Sequence, residues 1–155
     1  MANNIFNADF QDFIQALNSA KVDYMLVGGY SVILHGYSRT TGDMDIWVYP
    51  SVDNFNKLKI AFAQFGMSMF DMTLERFLAS DRYDVFTFGL PPVCIEILTQ
   101  VKGLEFHSAF DRAEWFQVSE GLAVRALHLT DLLVAKQAVA RAKDLDDIEN
   151  LKKRD

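Results

Sequence analysis

Apolar residues recur at three- and four-residue spacing from Phe6 through Phe10, Phe13, Ile14 and Leu17. This pattern predicts a helix over 6–20, with Asn7 or Asp9 at its start. Val22 to Val27 is β-branched and aromatic, a short strand that Gly28-Gly29 ends. Ser31 to His35 suits a brief helix that Gly36 stops. Met44 to Tyr49 reads as a second strand, closed by Pro50. Asp53 opens a further helix with an apolar face of Phe55, Leu58, Ile60, Ala61, Phe62 and Phe65, and Gly66 as its stop.

The second half alternates more irregularly. A short helix is expected at Thr73–Leu78, a half-buried strand at Tyr83–Phe88 and a turn at Gly89-Leu90-Pro91-Pro92. Val93 to Leu98 is almost continuously apolar, as in a strand covered on both faces, and Glu96 is the one acid inside it. Another helix is expected over Gly103–Phe110, then a hairpin of Trp115–Val118 and Leu122–Ala126 around Ser119-Glu120-Gly121. Helix follows from Thr130, with Leu132, Leu133, Ala135, Ala138, Val139 and Ala142 on one broad side. A last helix is expected over Leu145–Lys152, capped by Asp144. The elements predict an α/β or α+β fold, a mixed sheet under helical cover. One domain spans 1–155, with a covering helix in 1–21, the sheet and site in 22–126, and closing helices in 127–155.

Composition narrows the class. At 155 residues the chain can bury a core without disulfides or structural metal, and half its residues are apolar. The single cysteine, Cys94, excludes an internal disulfide and cysteine-rich zinc modules, and fits a reducing compartment. The N-terminal stretch has neither a basic segment nor a continuous apolar one, so no secretory signal is expected. With no apolar run of membrane-spanning length, a cytoplasmic location without membrane partners is expected. The net charge of −6 disfavours grip on long nucleic acid without a partner, but leaves room for a locally basic pocket.

Asp43 and Asp45 head the second strand. Residues i and i+2 of a strand share a face about 6.5 Å apart, and two carboxylates so placed repel unless water or a cation intervenes. Mg²⁺ suits such a pair, since it takes few carboxylates and is commonly completed by substrate phosphates. A solvated strand entrance is the plainer alternative. Glu96 would add a third carboxylate from a neighbouring strand, as ligand or general base, or else pair with a lysine or arginine. Gly28-Gly29, between strand and helix, would let backbone N–H groups approach a phosphate, although tight turns use the same pair. Ser31 and Arg39 would add phosphate contacts, and His35 is expected to cap or pack the short helix. Lys136 interrupts an apolar helix, which a snorkelling surface lysine also does.

The string of GG at a strand end, a short helix, hG, then R-T-T-x-D-x-D-h and a later h-E-h strand resembles the polymerase-beta-like nucleotidyltransferases. Within them the chain resembles the minimal nucleotidyltransferases and the abortive-infection type toxin nucleotidyltransferases. Leu132-Leu133-Val134-Ala135-Lys136 and Arg141-Ala142-Lys143-Asp144-Leu145-Asp146-Asp147-Ile148 are similar to the tail of that group. The resemblance implies a nucleotidyltransferase-fold sheet whose C-terminal helices close a cleft. It implies that Asp43, Asp45 and Glu96 are catalytic and hold Mg²⁺, or Mn²⁺ in its place. Gly28, Gly29, Ser31, Arg39, Thr40, Lys136, Arg141 and Lys143 would bind the nucleotide, and Asp144 would help shape the cleft.

The expected activity is transfer of a nucleoside monophosphate from an NTP to an acceptor hydroxyl on a small molecule, a protein or an RNA. The alternative keeps the fold without catalysis, as a toxin–antitoxin or regulatory binding module with a cognate antitoxin or other partner protein.

Overall fold

The computed structural model describes residues 7–37, 41–90 and 93–153. Arg39 and Thr40, two of the expected phosphate-binding residues, lie outside the described residues. In chain order the elements are α1 (Ala8–Ser19), β1 (Tyr24–Val27), α2 (Gly28–Leu34), β2 (Asp43–Val48), α3 (Val52–Phe65), α4 (Leu74–Leu78), β3 (Val85–Leu90) and β4 (Val93–Leu98). They continue with α5 (Phe106–Arg112), β5 (Glu114–Ser119), β6 (Leu122–Ala126), α6 (Leu129–Val139) and α7 (Ala142–Lys152).

The strands form one mixed sheet in the order β3-β4-β2-β1-β6-β5. β1 runs antiparallel to β2 and parallel to β6, and β2 runs parallel to β4. The strand period of two divides β2 cleanly. Met44, Ile46 and Val48 join the larger core with α1, α3 and α4, while Trp47 joins a smaller core with α5, α6 and α7. Asp43 and Asp45 share the Trp47 face, so the acids stand on the side that the C-terminal helices cover.

The helix starts follow cap chemistry. Asn7 accepts from Phe10 N at 2.9 Å to open α1, whose Phe13, Ile14 and Leu17 are fully buried. Burial of each such side chain contributes about 2 kcal/mol. Ser51, two residues before Asp53, caps α3 by accepting from Asn54 N at 3.1 Å, and Gly66 closes it with φ +88°.

Several expectations move. β3 begins at Val85 rather than Tyr83 and extends to Leu90. α5 begins at Phe106, because Glu105 accepts from both His107 N and Ser108 N and so caps it there. β4 is interior in the sheet but covered unevenly. Ile95 and Ile97 face the large core, whereas Glu96 on the other face is only half-buried.

The largest shift is in the tail. The helix from Thr130 ends at Val139, where Ala140 takes the left-handed conformation at φ +55° without being glycine. That conformation costs a non-glycine residue about 1–2 kcal/mol. α7 then starts at Ala142, so Asp144 is not the residue before the helix. It lies in the first turn and reaches back to accept from Arg141 N at 3.1 Å.

Candidate active site

Register brings the expected acids together. Asp45 pairs with Val27 of β1 on one side and with Glu96 of β4 on the other, and Asp43 lies opposite Cys94. The carboxyl of Asp45 hydrogen-bonds with Glu96, while its Oδ1 is buried with no hydrogen-bond partner. Burial first, then the Glu96 charge and hydrogen bond, and then Asp43 push its pKa up to about 7, against a smaller opposing pull from Lys136. A carboxylate deprived of water and crowded by two others is unstable as an anion. Beside it, burial and the Asp43 charge raise the Cys94 thiol, which therefore stays protonated.

Gly28 is the cradle of this carboxylate. Its φ is +70°, and a Cβ built there would overlap the Asp45 carboxylate. Both the backbone conformation and the close approach require glycine. α2 starts at this residue with no side-chain cap on its first N–H groups. Ser31 is fully buried, and its hydroxyl donates to Gly28 O at 2.9 Å, so it braces the turn from inside. Gly29 is buried in the same first turn. His35 packs as expected, with Nε2 2.7 Å from Leu127 O and its ring edge-on to Phe116.

The tail faces the acids from the opposite wall. A cleft of about 170 Å³ is lined by Gly28, Asp45, Lys136, Arg141 and Asp144, with Val27, Leu98, Leu127 and Leu132 as apolar floor. Lys136 is 6% exposed and its ammonium lies 3.3 Å from Asp144 Oδ1 and 3.1 Å from Asp147 Oδ2. Arg141 grips Asp144 through Nε at 2.6 Å and Nη2 at 3.2 Å. Burial would raise the Asp144 pKa, but hydrogen bonds from Arg141 and Lys136 outweigh it and hold the group below the usual carboxylate range. Lys143 is exposed on α7 and does not line the cleft.

Asp147 was legible only as a helix-turn residue, yet it is a partner of the one buried lysine in the cleft. Gln100 and Lys102 also line the cleft and carry no sequence signal, since they sit in the irregular stretch after β4. Tyr37 donates to Asp146 Oδ2 at 2.9 Å and so ties the segment before β2 to α7.

The fold has a solved counterpart. Over 97% of this chain and 98% of its own, the crystal structure of the lincosamide antibiotic adenylyltransferase LnuA, lincomycin-bound, superposes with a TM-score of 0.58 at 17% identity. The chain has a nucleotidyltransferase fold. No protein-family model and no curated protein matches it in sequence. In this nucleotidyltransferase fold the acids occupy neighbouring strands at the end of β1 where α2 begins, and α6 and α7 form the facing wall.

The residues fit a hard divalent cation. The available donors are carboxylate oxygens, and one of them, Asp45 Oδ1, is buried with no partner, while Gly28 packs its backbone against the other oxygen of the same carboxyl, Oδ2. Among the described residues no three His, Cys, Asp or Glu side chains draw together as a closed ligand group.

Proposed function

We propose that the chain is a Mg²⁺-dependent nucleotidyltransferase, moving a nucleoside monophosphate from an NTP to the hydroxyl of a small acceptor molecule. The observation that carries this reading is the bare, buried Oδ1 of Asp45, hydrogen-bonded through its carboxyl to Glu96 and faced by Lys136 and Arg141. A binding module has no use for a crowded acid with one oxygen kept buried and unpartnered at such a cost. The full-length likeness to an antibiotic adenylyltransferase supports a small-molecule acceptor over a toxin role.

In this reading Asp43 and Asp45 hold the ion, which when bound neutralises phosphate charge during the displacement. Glu96 accepts the proton of the acceptor hydroxyl. The hydroxyl oxygen bonds to the α-phosphorus as the bond to the β-phosphate bridging oxygen breaks, and pyrophosphate leaves. The first N–H groups of α2 and the cations Lys136 and Arg141 hold the phosphates. Most of the acceleration comes from alignment and fixed charge, because the protein forms no bond itself.

The test is incubation with Mg²⁺, labelled ATP, GTP, CTP or UTP, and lincomycin or mixed small alcohols, beside Asp45→Asn. Labelled product and pyrophosphate are expected from the natural chain and from none of the variant's reactions. Equal activity in both would overturn the assignment of Asp45. Binding of a protein partner with no nucleotide effect at all would favour the regulatory module.

A further inference from the structure

β3 forms one edge of the sheet, with β4 beside it and, among the described residues, no strand on its outer side. Thr99 N donates to Asp84 O at 3.0 Å, one step beyond the Val85–Leu98 pair. Hydrogen-bonded and non-bonded pairs alternate along an antiparallel ladder. Phe86 and Phe88 therefore turn their N–H and C=O groups toward β4, and Val85, Thr87 and Gly89 turn theirs to the open edge. The two edges of the sheet are built differently. β5 starts with Glu114 and breaks register between Gln117 and Ser119, and charge and bulges both blunt an edge. β3 reads Val-Phe-Thr-Phe-Gly-Leu, without a charge, and pairs with β4 in unbroken register from Val85 to Leu90. A groove of about 250 Å³ runs beside it, walled by Phe70, Asp71, Arg76 and Tyr83. Phe70 is 71% exposed and Val85 43%. A regular, uncharged edge with apolar surface around it is a template for strand pairing, which folded proteins cover or disarm.

We propose that a second copy of this chain covers the edge, its β3 running antiparallel to the first across a two-fold axis at Thr87. On that axis Thr87 meets its own counterpart, and Val85 of each copy meets Gly89 of the other. Each pair exchanges two N–H···O bonds, so every outward donor and acceptor of the three residues is satisfied at once. Self-complementarity selects a second copy, because a two-fold interface sets one patch against itself. The chain as a whole carries −6 and repels its copies, whereas β3 is uncharged and its groove holds one arginine and one aspartate. Each sign thus finds its opposite on the other copy. The axis is normal to the sheet, so two six-stranded sheets become one with both sets of acids on the same face. Thr87 pairs with Glu96, which puts the second copy's strand two strand spacings, about 10 Å, from that acid. The dimer stands whether or not the chain transfers nucleotides.

The experiment is sedimentation velocity on the full chain over a range of concentrations. A single species of twice the chain mass of 17.6 kDa is expected at the upper end. Thr87→Pro removes an N–H that β4 does not use, so the fold should persist while pairing is lost. Two symmetric bonds disappear, each worth about fivefold, so self-association should weaken about 25-fold. Val85→Lys sets charge on the edge and should act in the same direction, whereas Gln117→Lys on β5 should leave the dimer intact. Thr87→Cys should form a disulfide-linked dimer under mild oxidation, because paired residues on the axis lie about 5.5 Å apart between Cα atoms. Gln117→Cys, exposed on the other edge, should not.

A chain that stays monomeric at every concentration overturns the interface. So does a dimer that survives both Thr87→Pro and Val85→Lys, or one that Gln117→Lys dissolves. Assemblies larger than two also overturn it, because pairing across a two-fold axis uses up the edge and closes. Near-ultraviolet circular dichroism of Thr87→Pro and Val85→Lys separates a lost interface from a lost fold. Where either has lost the fold, the cysteine cross-link decides.

Discussion

Lys136 and Asp147 form an ion pair at 3.1 Å with both side chains buried, joining α6 to α7 across the break at Ala140. Asp144 holds the same ammonium at 3.3 Å, so two of its three protons are directed into the tail. An ammonium so anchored keeps its charge at a fixed point of the cleft wall instead of snorkelling to solvent.

Asp147→Ala removes one of two anchors and leaves a buried ammonium partly unpaired. Breaking such a pair costs about 3–5 kcal/mol, and the retained Asp144 places this case near 3 kcal/mol. The double variant Lys136→Met with Asp147→Leu should cost less than the single, because it leaves no orphan charge at that pair. Urea denaturation of the wild type, Lys136→Met, Asp147→Leu and the double closes the cycle. Additive losses would show that the two residues do not act as a pair.

Asp45 makes stability depend on pH in an unusual direction. Its carboxyl is raised from 3.8 to about 7 in the folded chain. Between those values the folded protein holds a proton that the unfolded one releases, so stability falls as pH rises from about 4 to about 7. The depressed carboxyls of Asp144 and Glu105 act oppositely and lower, losing their contribution as pH falls below the ordinary carboxylate range. Thermal melts across pH 4–8 should show the decline, and Asp45→Asn should flatten it. Mg²⁺ should raise the melting temperature more at pH 8 than at pH 5, since the ion competes with the proton for the same oxygens.

Gly28→Ala meets two obstacles at once. The backbone sits at φ +70°, and the new methyl would overlap the Asp45 carboxylate. The conformation alone costs about 1–2 kcal/mol. Displacement of the carboxylate should also abolish the thermal shift from Mg²⁺–ATP. Gly66→Ala is the control. It has φ +88° with open space around the added methyl, so it should lower the melting temperature comparably while retaining the nucleotide response. Loss of that response in both variants would assign the effect to strain rather than to the cradle.

The alternation of Met44, Ile46 and Val48 with Asp43, Asp45 and Trp47 was visible in the chain, and it already placed both acids on one face. Glu96 was visible as a lone acid in an apolar strand. Their meeting on neighbouring strands was expected, but the register that sets Glu96 opposite Asp45 was not legible, because β2 pairs in parallel with β4 across the whole α3–β3 segment and no local signal encodes it. The tail failed for a related reason. Ala140 ends α6 in a left-handed turn without glycine, so a break near Asp144 looked as natural as one at Arg141. The fork from Arg112 to the buried Asp131, with two contacts of 2.9 Å, and the Lys136–Asp147 pair depend on packing between distant elements. Charged residues advertise themselves in sequence, but their partners are chosen by the fold.

Arg141 separates holding the fold from holding the nucleotide. Its guanidinium is more than half exposed, contacts Asp144 at 2.6 Å, and lines the cleft opposite Asp45. A partly solvated pair contributes about 0–1 kcal/mol, so Arg141→Ala should barely move the melting temperature. If the guanidinium also grips a phosphate, its loss should weaken nucleotide binding by about tenfold, the worth of a charge-assisted hydrogen bond. Arg141→Lys keeps the charge but not the fork, and should recover part of the affinity. Calorimetric titration of Mg²⁺–ATP into the three proteins measures the difference. Unchanged affinity in Arg141→Ala would confine Arg141 to organising the start of α7.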